Sequence, residues 1–142
     1  MKRIISLLFA IAAIISANAQ ENNKKAKIEF DKTTIDLGKF SYDNAIQKCY
    51  FLFRNTGDAD LYIHQIFTSC GCTDKKFPTH PIQPGQCDTI FVTYNGERKS
   101  PRKFRTSITI HSNGTPEMTK LYIKGEQLPK SIKENEIIEI VE

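Results

Sequence analysis

The chain has 142 residues, a formal net charge of +4 and four cysteines. This length suits one ordinary domain, and the small positive charge gives no indication of nucleic-acid binding. A domain of this size can build a self-sufficient hydrophobic core, so folding requires no metal, and we expect no cofactor.

The N-terminus has the pattern of a secretory signal peptide. Two basic residues come first, residues 4–15 are almost wholly apolar, and the small residues 17–19 suit a signal peptidase. We therefore predict a signal peptide over residues 1–19, cleaved after Ala19. A membrane anchor is the alternative, but an apolar run of about 12 residues is shorter than the roughly 20 that a bilayer requires. We expect a periplasmic or extracellular mature chain with no membrane span and a charge lowered from +4 to +2.

The mature chain begins with a polar, Lys-rich segment, residues 20–27, which we expect to be a flexible leader. From Ile28 onward, hydrophobic residues recur at every second position, which is typical of β-strands with one buried face. In the fourth strand this alternation puts Ile63 and Gln65 on one face and Ile66 on the other. Six or seven short strands are expected among the eight segments 28–30, 35–37, 49–54, 61–66, 75–77, 89–94, 104–110 and 118–124, of which 75–77 could be a short edge strand.

Turn residues separate these segments. Gly38 is expected to end the second, and the Asn55–Asp58 stretch and Gly125 are expected to end the third and the last. This pattern predicts an all-β fold, an immunoglobulin-like antiparallel β-sandwich of about seven strands, over residues 28–125. Residues 126–142 alternate acidic and apolar side chains, and we expect a partly ordered tail. An extra strand, a short helix, or a strand that adds to a partner's sheet are the alternatives.

Several separated motifs resemble one known family. They are Phe51–Ile63, the Ser69–Thr73 stretch, the Pro81–Gly85 turn and Ile90–Tyr94, with Ile35–Gly38 and Leu121–Gly125 at the opening and closing strands. Together they resemble the domain of unknown function 1573 family, which is common in exported bacterial proteins. The resemblance implies an immunoglobulin-like fold and carries no established activity. Cys49 and Cys87 are not part of the family's pattern.

The Cys70-Gly71-Cys72 motif is the strongest candidate site. Three interpretations are open for its sulfurs, besides free buried thiols. They could bind a soft metal, such as Cu(I), or Zn with further ligands, among which His80 is a candidate. They could cycle between dithiol and an easily reduced disulfide. They could also pair elsewhere as a structural staple, and strand order makes a bridge from Cys49 to Cys70 or Cys72 possible. Cys87 is expected at the opposite end, unpaired or paired between molecules.

A second candidate is a basic cluster around Pro101. It could bind an anionic glycan, a lipid headgroup or an acidic protein partner, although a solvated loop is the simpler interpretation. Its residues are Arg98, Lys99, Arg102, Lys103 and Arg105.

Sequence motifs of common enzymes are missing from the chain. We therefore expect a non-catalytic binding or structural module of the cell envelope, whose partner is an envelope protein or a glycan. The alternative is a periplasmic metal-binding or thiol-redox protein that uses Cys70 and Cys72. Immunoglobulin-like sandwiches serve many functions, so the fold alone does not choose between them.

Overall fold

The computed structural model describes residues 24–130, so the predicted signal peptide and residues 131–142 of the predicted tail lie outside the described residues. Within that range the chain forms eight β-strands and one short 3-10 helix. The strands are β1 (Ile28–Phe30), β2 (Thr34–Ser41), β3 (Ile46–Asn55), β4 (Ile63–Thr68), β5 (Thr73–Lys76), β6 (Cys87–Asn95), β7 (Arg102–Ser112) and β8 (Met118–Leu128), and the 3-10 helix is Tyr42–Asn44.

Two four-stranded sheets form the domain. One sheet has the order β1-β3-β6-β5, and the other has the order β2-β8-β7-β4. Consecutive strands β1 and β2 belong to different sheets, so the chain crosses the sandwich between them. The predicted immunoglobulin-like sandwich is confirmed. The pairing differs from the predicted antiparallel arrangement at β2, which pairs with β8 in parallel, whereas the other neighbouring strands are antiparallel.

The core lies between the sheets and follows the predicted alternation. In β3, Phe51 and Phe53 are each 1% exposed, while their neighbours Tyr50 and Leu52 face solvent. Period-two side chains leave one face of each sheet apolar, and joining the two apolar faces removes both from water. The other side chains with at most 2% exposure are Ala26, Leu61, Ile66, Ile82, Ile90, Val92, Ile108, Ile110, Leu121 and Ile123 among the hydrophobic residues.

Two β-bulges change the predicted strands. Gly38 was expected to end its strand, but it has φ of +70° at a register shift between Asp36 and Lys39, and β2 continues to Ser41. A glycine adopts this backbone conformation without the steric cost of a Cβ, so the strand bends and goes on. In β4, a register shift between Ile63 and Gln65 buries both Ile63 and Ile66. The strict alternation expected there is therefore wrong.

Both predicted ends of the domain lie too far inward. Ala26, in the expected leader, is 2% exposed, and its carbonyl accepts a hydrogen bond from the Thr115 N–H at 2.9 Å. At the other end, Gly125 pairs with Phe104 and β8 continues to Leu128. Gln127 is buried, and its Nε2 donates to the Gly96 carbonyl at 3.0 Å. The sequence predicted a flexible leader and a strand that ends at Gly125 because most side chains in these two segments are polar. A hydrophobicity pattern does not reveal backbone hydrogen bonds in such segments.

Candidate functional site

The segment from Ser69 to Cys72, called here the disulfide loop, joins β4 to β5 and so crosses from one sheet to the other. Cys70 and Cys72 form a disulfide with a Cα–Cα distance of 5.1 Å. The bridge from Cys49 to Cys70 or Cys72, which the strand order made possible, is therefore not formed. The two cysteines are separated by one residue and meet across a tight turn, whereas Cys49 packs against the core between the sheets and is free.

Backbone hydrogen bonds hold the disulfide loop on both sides. Ser69 and Ser107 bond reciprocally, since the Ser69 N–H donates to the Ser107 carbonyl and the Ser107 N–H donates to Ser69 Oγ, each at 3.0 Å. On the other sheet, the Asn95 N–H donates to the Cys72 carbonyl at 2.7 Å. The loop is therefore fixed to β7 and to β6 by bonds that do not involve sulfur.

The disulfide contributes little to the stability of the fold. A cross-link stabilises mainly by restricting the unfolded chain, and a loop of three residues gives about 1.6 kcal/mol, against about 3 kcal/mol for 15 residues. Both cysteines are half-buried at the surface. The surface position of the disulfide and the small loop that it closes therefore indicate that its main role is not to stabilise the fold.

A groove opens between the disulfide loop and the start of β7. Its cavity has a volume of about 590 Å³. One wall is the disulfide loop. Four basic residues of the predicted cluster also line the cavity. We call this cavity the basic groove. Its basic residues are Lys99, Arg102, Lys103 and Arg105.

Aromatic side chains form the floor of the basic groove. The rings of Tyr94 and Phe104 stack with centroids 4.1 Å apart and planes inclined by 4°. Phe40 packs edge-on against both rings at about 6 Å. Burial raises the pKa of Tyr94, although the nearby positive charge of Arg102 acts in the opposite direction. Tyr94 and Phe104 thus contribute an uncharged aromatic part of the lining of the basic groove.

The positive charge of the groove is not neutralised from within. No carboxylate is among the residues that line the cavity. None of the four cations takes part in an ion pair between described residues, whose four pairs all lie elsewhere. The Arg105 guanidinium instead lies 3.9 Å from the centre of the Tyr122 ring. Lys103 also lines a second cavity, together with Asp36 and Glu126, without an ion pair to either. The lining of the basic groove itself is positively charged, which favours a negatively charged ligand.

Arg98 is separated from the other members of the predicted basic cluster. It lines a neighbouring cavity of about 380 Å³ on the other side of Lys99, together with the carboxylate-bearing Glu97. The Glu97 carboxylate accepts a hydrogen bond from the Asn95 side chain at 3.3 Å. The five residues of the predicted cluster therefore line two adjoining cavities, which share Gly71, Cys72 and Lys99.

The other cysteines and histidines do not join this site. His80, a candidate ligand, bonds Asp88 through Nε2 at 3.1 Å. Asp88 and Asn95 are seven residues apart on β6, so His80 lies roughly 20 Å from the disulfide loop. Cys87 is exposed and free at that same distant end, as expected. Within residues 24–130 no three His, Cys, Asp or Glu side chains come together as a metal site.

Sequence reasoning found the cysteines and the basic cluster but missed their meeting. A partial signal was the position of the cysteines directly after the fourth strand, but their contact with β7 depends on the strand pairing, in which Thr68 lies opposite Ile108. The Ser69–Ser107 bonds and the aromatic floor had no comparable signal, since serines and alternating aromatic residues occur throughout β proteins.

The chain matches the family model described as a protein of unknown function (DUF1573) over residues 28–127. The chain belongs to the DUF1573 family. No curated protein matches it in sequence. Within its described residues, no helix is long and apolar enough to cross a membrane.

Solved structures share the fold of this DUF1573 chain at low sequence identity. A protein of unknown function from Porphyromonas gingivalis W83 has a TM-score of 0.65 and 19% identity, and the match covers 76% of this chain and half of that one. The ASH/PapD-like domain 7 of human CEP192 has a TM-score of 0.61 and 8% identity, covering 75% and 89% of the two chains. The periplasmic chaperone SfaE has a TM-score of 0.52 and 11% identity, covering 77% and 62%. These likenesses establish the sandwich and no shared activity.

Proposed function

We propose that this protein is an exported, non-catalytic binding module of the cell envelope, which holds an anionic glycan in the basic groove. The observation that carries the proposal is the set of four cations in one cavity without a carboxylate partner. Guanidinium and ammonium groups bind carboxylates and phosphates through charge-assisted hydrogen bonds, and a fixed arrangement of such groups costs little reorganisation on binding.

The composition of the groove supports a binding function over a catalytic one. The described residues that line it include neither a carboxylate nor an imidazole, which are the usual groups for proton transfer at neutral pH. Of the ionisable oxygens there, the buried Tyr94 hydroxyl has a raised pKa and so remains protonated. The lining residues are suited to attracting and orienting an anion.

Export has two supporting observations. The Cys70–Cys72 disulfide is the kind of bond that persists in an oxidising compartment and is rare in the cytosol. The N-terminal pattern of residues 1–19 is that of a secretory signal. A shared fold with the periplasmic chaperone SfaE is compatible with this location. Mass spectrometry of the protein recovered from its producing cells is expected to give a chain that starts at Gln20, and a chain that retains Met1 would contradict export.

The binding experiment uses calorimetry with a uronic-acid oligosaccharide as the probe, at low and at high salt. We expect binding that weakens as salt rises, because the attraction is screened. The double substitution Arg102→Gln/Lys103→Gln is expected to weaken binding by about tenfold or more, which is equivalent to about 1.4 kcal/mol.

The matched control removes two exposed lysines of β5 that do not line the groove, by Lys75→Gln/Lys76→Gln. It changes the net charge equally and is expected to leave the affinity unchanged. Equal losses in both double variants would show attraction to net charge alone and would refute the groove. An acidic peptide that binds more tightly than the oligosaccharide would refute the ligand class.

A further inference from the structure

One wall of the basic groove contains a disulfide bond. Cys70 and Cys72 line the cavity together with the four cations, and both are half-buried rather than enclosed in the core. Exposed disulfides are the ones that exchange with external thiols, whereas structural disulfides resist the glutathione pool.

Opening the disulfide would leave its surroundings in place. The reciprocal Ser69–Ser107 bonds and the bond from the Asn95 N–H to the Cys72 carbonyl hold the loop whether or not the sulfurs are joined. A further turn bond runs from the Thr73 N–H to the Cys70 carbonyl at 3.1 Å. The two sulfurs therefore stay next to each other after reduction, and the bond can form again without refolding.

The two sulfurs are not equivalent. The Cys72 N–H donates to Cys70 Sγ at 3.2 Å, and hydrogen bonding to a charged form stabilises that form. The cations of the groove favour a thiolate at either sulfur. Of the two cysteines, Cys70 is therefore the better leaving group, since a more stable thiolate departs faster.

We propose that Cys70–Cys72 is a redox-active disulfide that accepts two electrons from an external dithiol, and that Cys72 is the sulfur attacked. A thiolate of the dithiol forms a bond to Cys72 Sγ, the Cys70–Cys72 bond breaks, and its electron pair goes to Cys70 Sγ. The second thiol of the dithiol loses its proton to solvent and attacks its partner's sulfur in the mixed disulfide, which releases the Cys72 thiolate. The dithiol becomes a disulfide, and the two thiolates of the protein equilibrate with protons from solvent. This proposal does not depend on the groove's binding a glycan.

The first test uses the full mature chain with Cys49→Ser and Cys87→Ser, so that one pair of thiols remains. The protein is equilibrated in glutathione buffers of increasing reduced fraction and then alkylated, and the alkylated fraction is measured by mass spectrometry. We expect the pair to be titrated between oxidised and reduced states within this series while circular dichroism stays unchanged. A pair that stays oxidised in excess reduced glutathione, or a fold that is lost on reduction, would overturn the proposal.

The second test measures the direction of attack in the same background. Cys72→Ser leaves Cys70 as the single thiol, and Cys70→Ser leaves Cys72. The pH at which iodoacetamide alkylation reaches half its maximal rate is expected to be lower for Cys70 by about one unit, a tenfold difference in thiolate fraction at neutral pH. Equal midpoints, or the reverse order, would overturn the assignment of Cys72 as the attacked sulfur.

A third measurement ties the reactivity to the groove. Arg102→Gln/Lys103→Gln is expected to slow reduction by dithiothreitol about tenfold, because the cations both attract the attacking thiolate and stabilise the leaving one. Lys75→Gln/Lys76→Gln is the matched control and should leave the rate unchanged. Unchanged rates in both double variants would refute the role of the cations.

Discussion

Polar groups at the two ends of the sandwich differ in whether they have partners within the described chain. At the end where β3 finishes, the side chain of Asn55 is fully buried, and its Nδ2 donates to the carbonyls of Ala59 and Ile82, each at 2.8 Å. Its Oδ1 accepts from the N–H groups of Gly57 and Lys27 at 3.0 and 3.3 Å. At the groove end, by contrast, four cations have no ion-pair partner in the described chain.

This difference separates polar residues that stabilise the fold from those that are available to a ligand. A buried polar group must find internal partners, because leaving it without them costs about 1–3 kcal/mol. An exposed charge can remain without a partner because water solvates it. Substitutions at the Asn55 end should therefore change the free energy of unfolding, and substitutions in the groove should change binding and thiol chemistry.

The largest expected effect is that of Asn55→Ala. It removes a buried side chain that satisfies two carbonyls and two N–H groups, and we expect a loss of about 3 kcal/mol in the free energy of unfolding. Urea denaturation followed by circular dichroism measures it. Asn113→Ala is the matched control, since Asn113 is exposed and bonds Tyr62 and Asp60, and water can replace those bonds. Equal losses in the two variants would contradict the comparison.

A smaller loss is expected for Gly57→Ala. A Cβ at this position would lie 2.2 Å from the Lys25 carbonyl oxygen, which belongs to the backbone and cannot move aside freely. We expect a loss of about 2 kcal/mol. At the groove end, Gly71→Ala meets nothing within 4 Å and should leave thermal unfolding nearly unchanged, so a larger effect at Gly71 would count against the described loop geometry.

Cys49 should make stability depend on alkaline pH. Burial raises the pKa of its thiol from 9.0 to about 11. Since the folded state holds this proton more tightly, the contribution is fully present below pH 9 and is lost as pH rises from about 9 to about 11. Urea midpoints measured across this range should fall more steeply for the natural chain than for Cys49→Ala. Parallel curves for the two proteins would contradict the buried position of the thiol.

The smallest expected effect on stability belongs to the groove. Arg102→Gln/Lys103→Gln removes charges that no described carboxylate pairs with, so the free energy of unfolding should change by no more than about 0.5 kcal/mol. Thermal unfolding of this variant beside Lys75→Gln/Lys76→Gln provides the measurement. A loss of several kcal/mol would show that the cations stabilise the fold and would weaken their assignment to a ligand.

The sequence predicted the parts of the fold that depend on one strand at a time. Alternation in Cys49–Arg54 identified Phe51 and Phe53 as buried, because successive side chains of a strand point to opposite faces of the sheet. It failed at Gly38 and in β4, where a bulge shifts the register without a distinctive residue pattern. The same limit applies to the site, since the meeting of the disulfide loop with Arg102 depends on pairings between distant strands.

The bond from Gln127 to the Gly96 carbonyl has a practical consequence for anyone who wishes to transplant the groove. Gly96 begins the connection that leads into Arg102. The hydrogen bond from Gln127 near the end of β8 therefore holds the start of the segment that carries the cations. A shortened domain that stops at Gly125 would retain every cation and both sulfurs but lose this support. A transferable unit therefore has to include Gln127 and the end of β8 at Leu128.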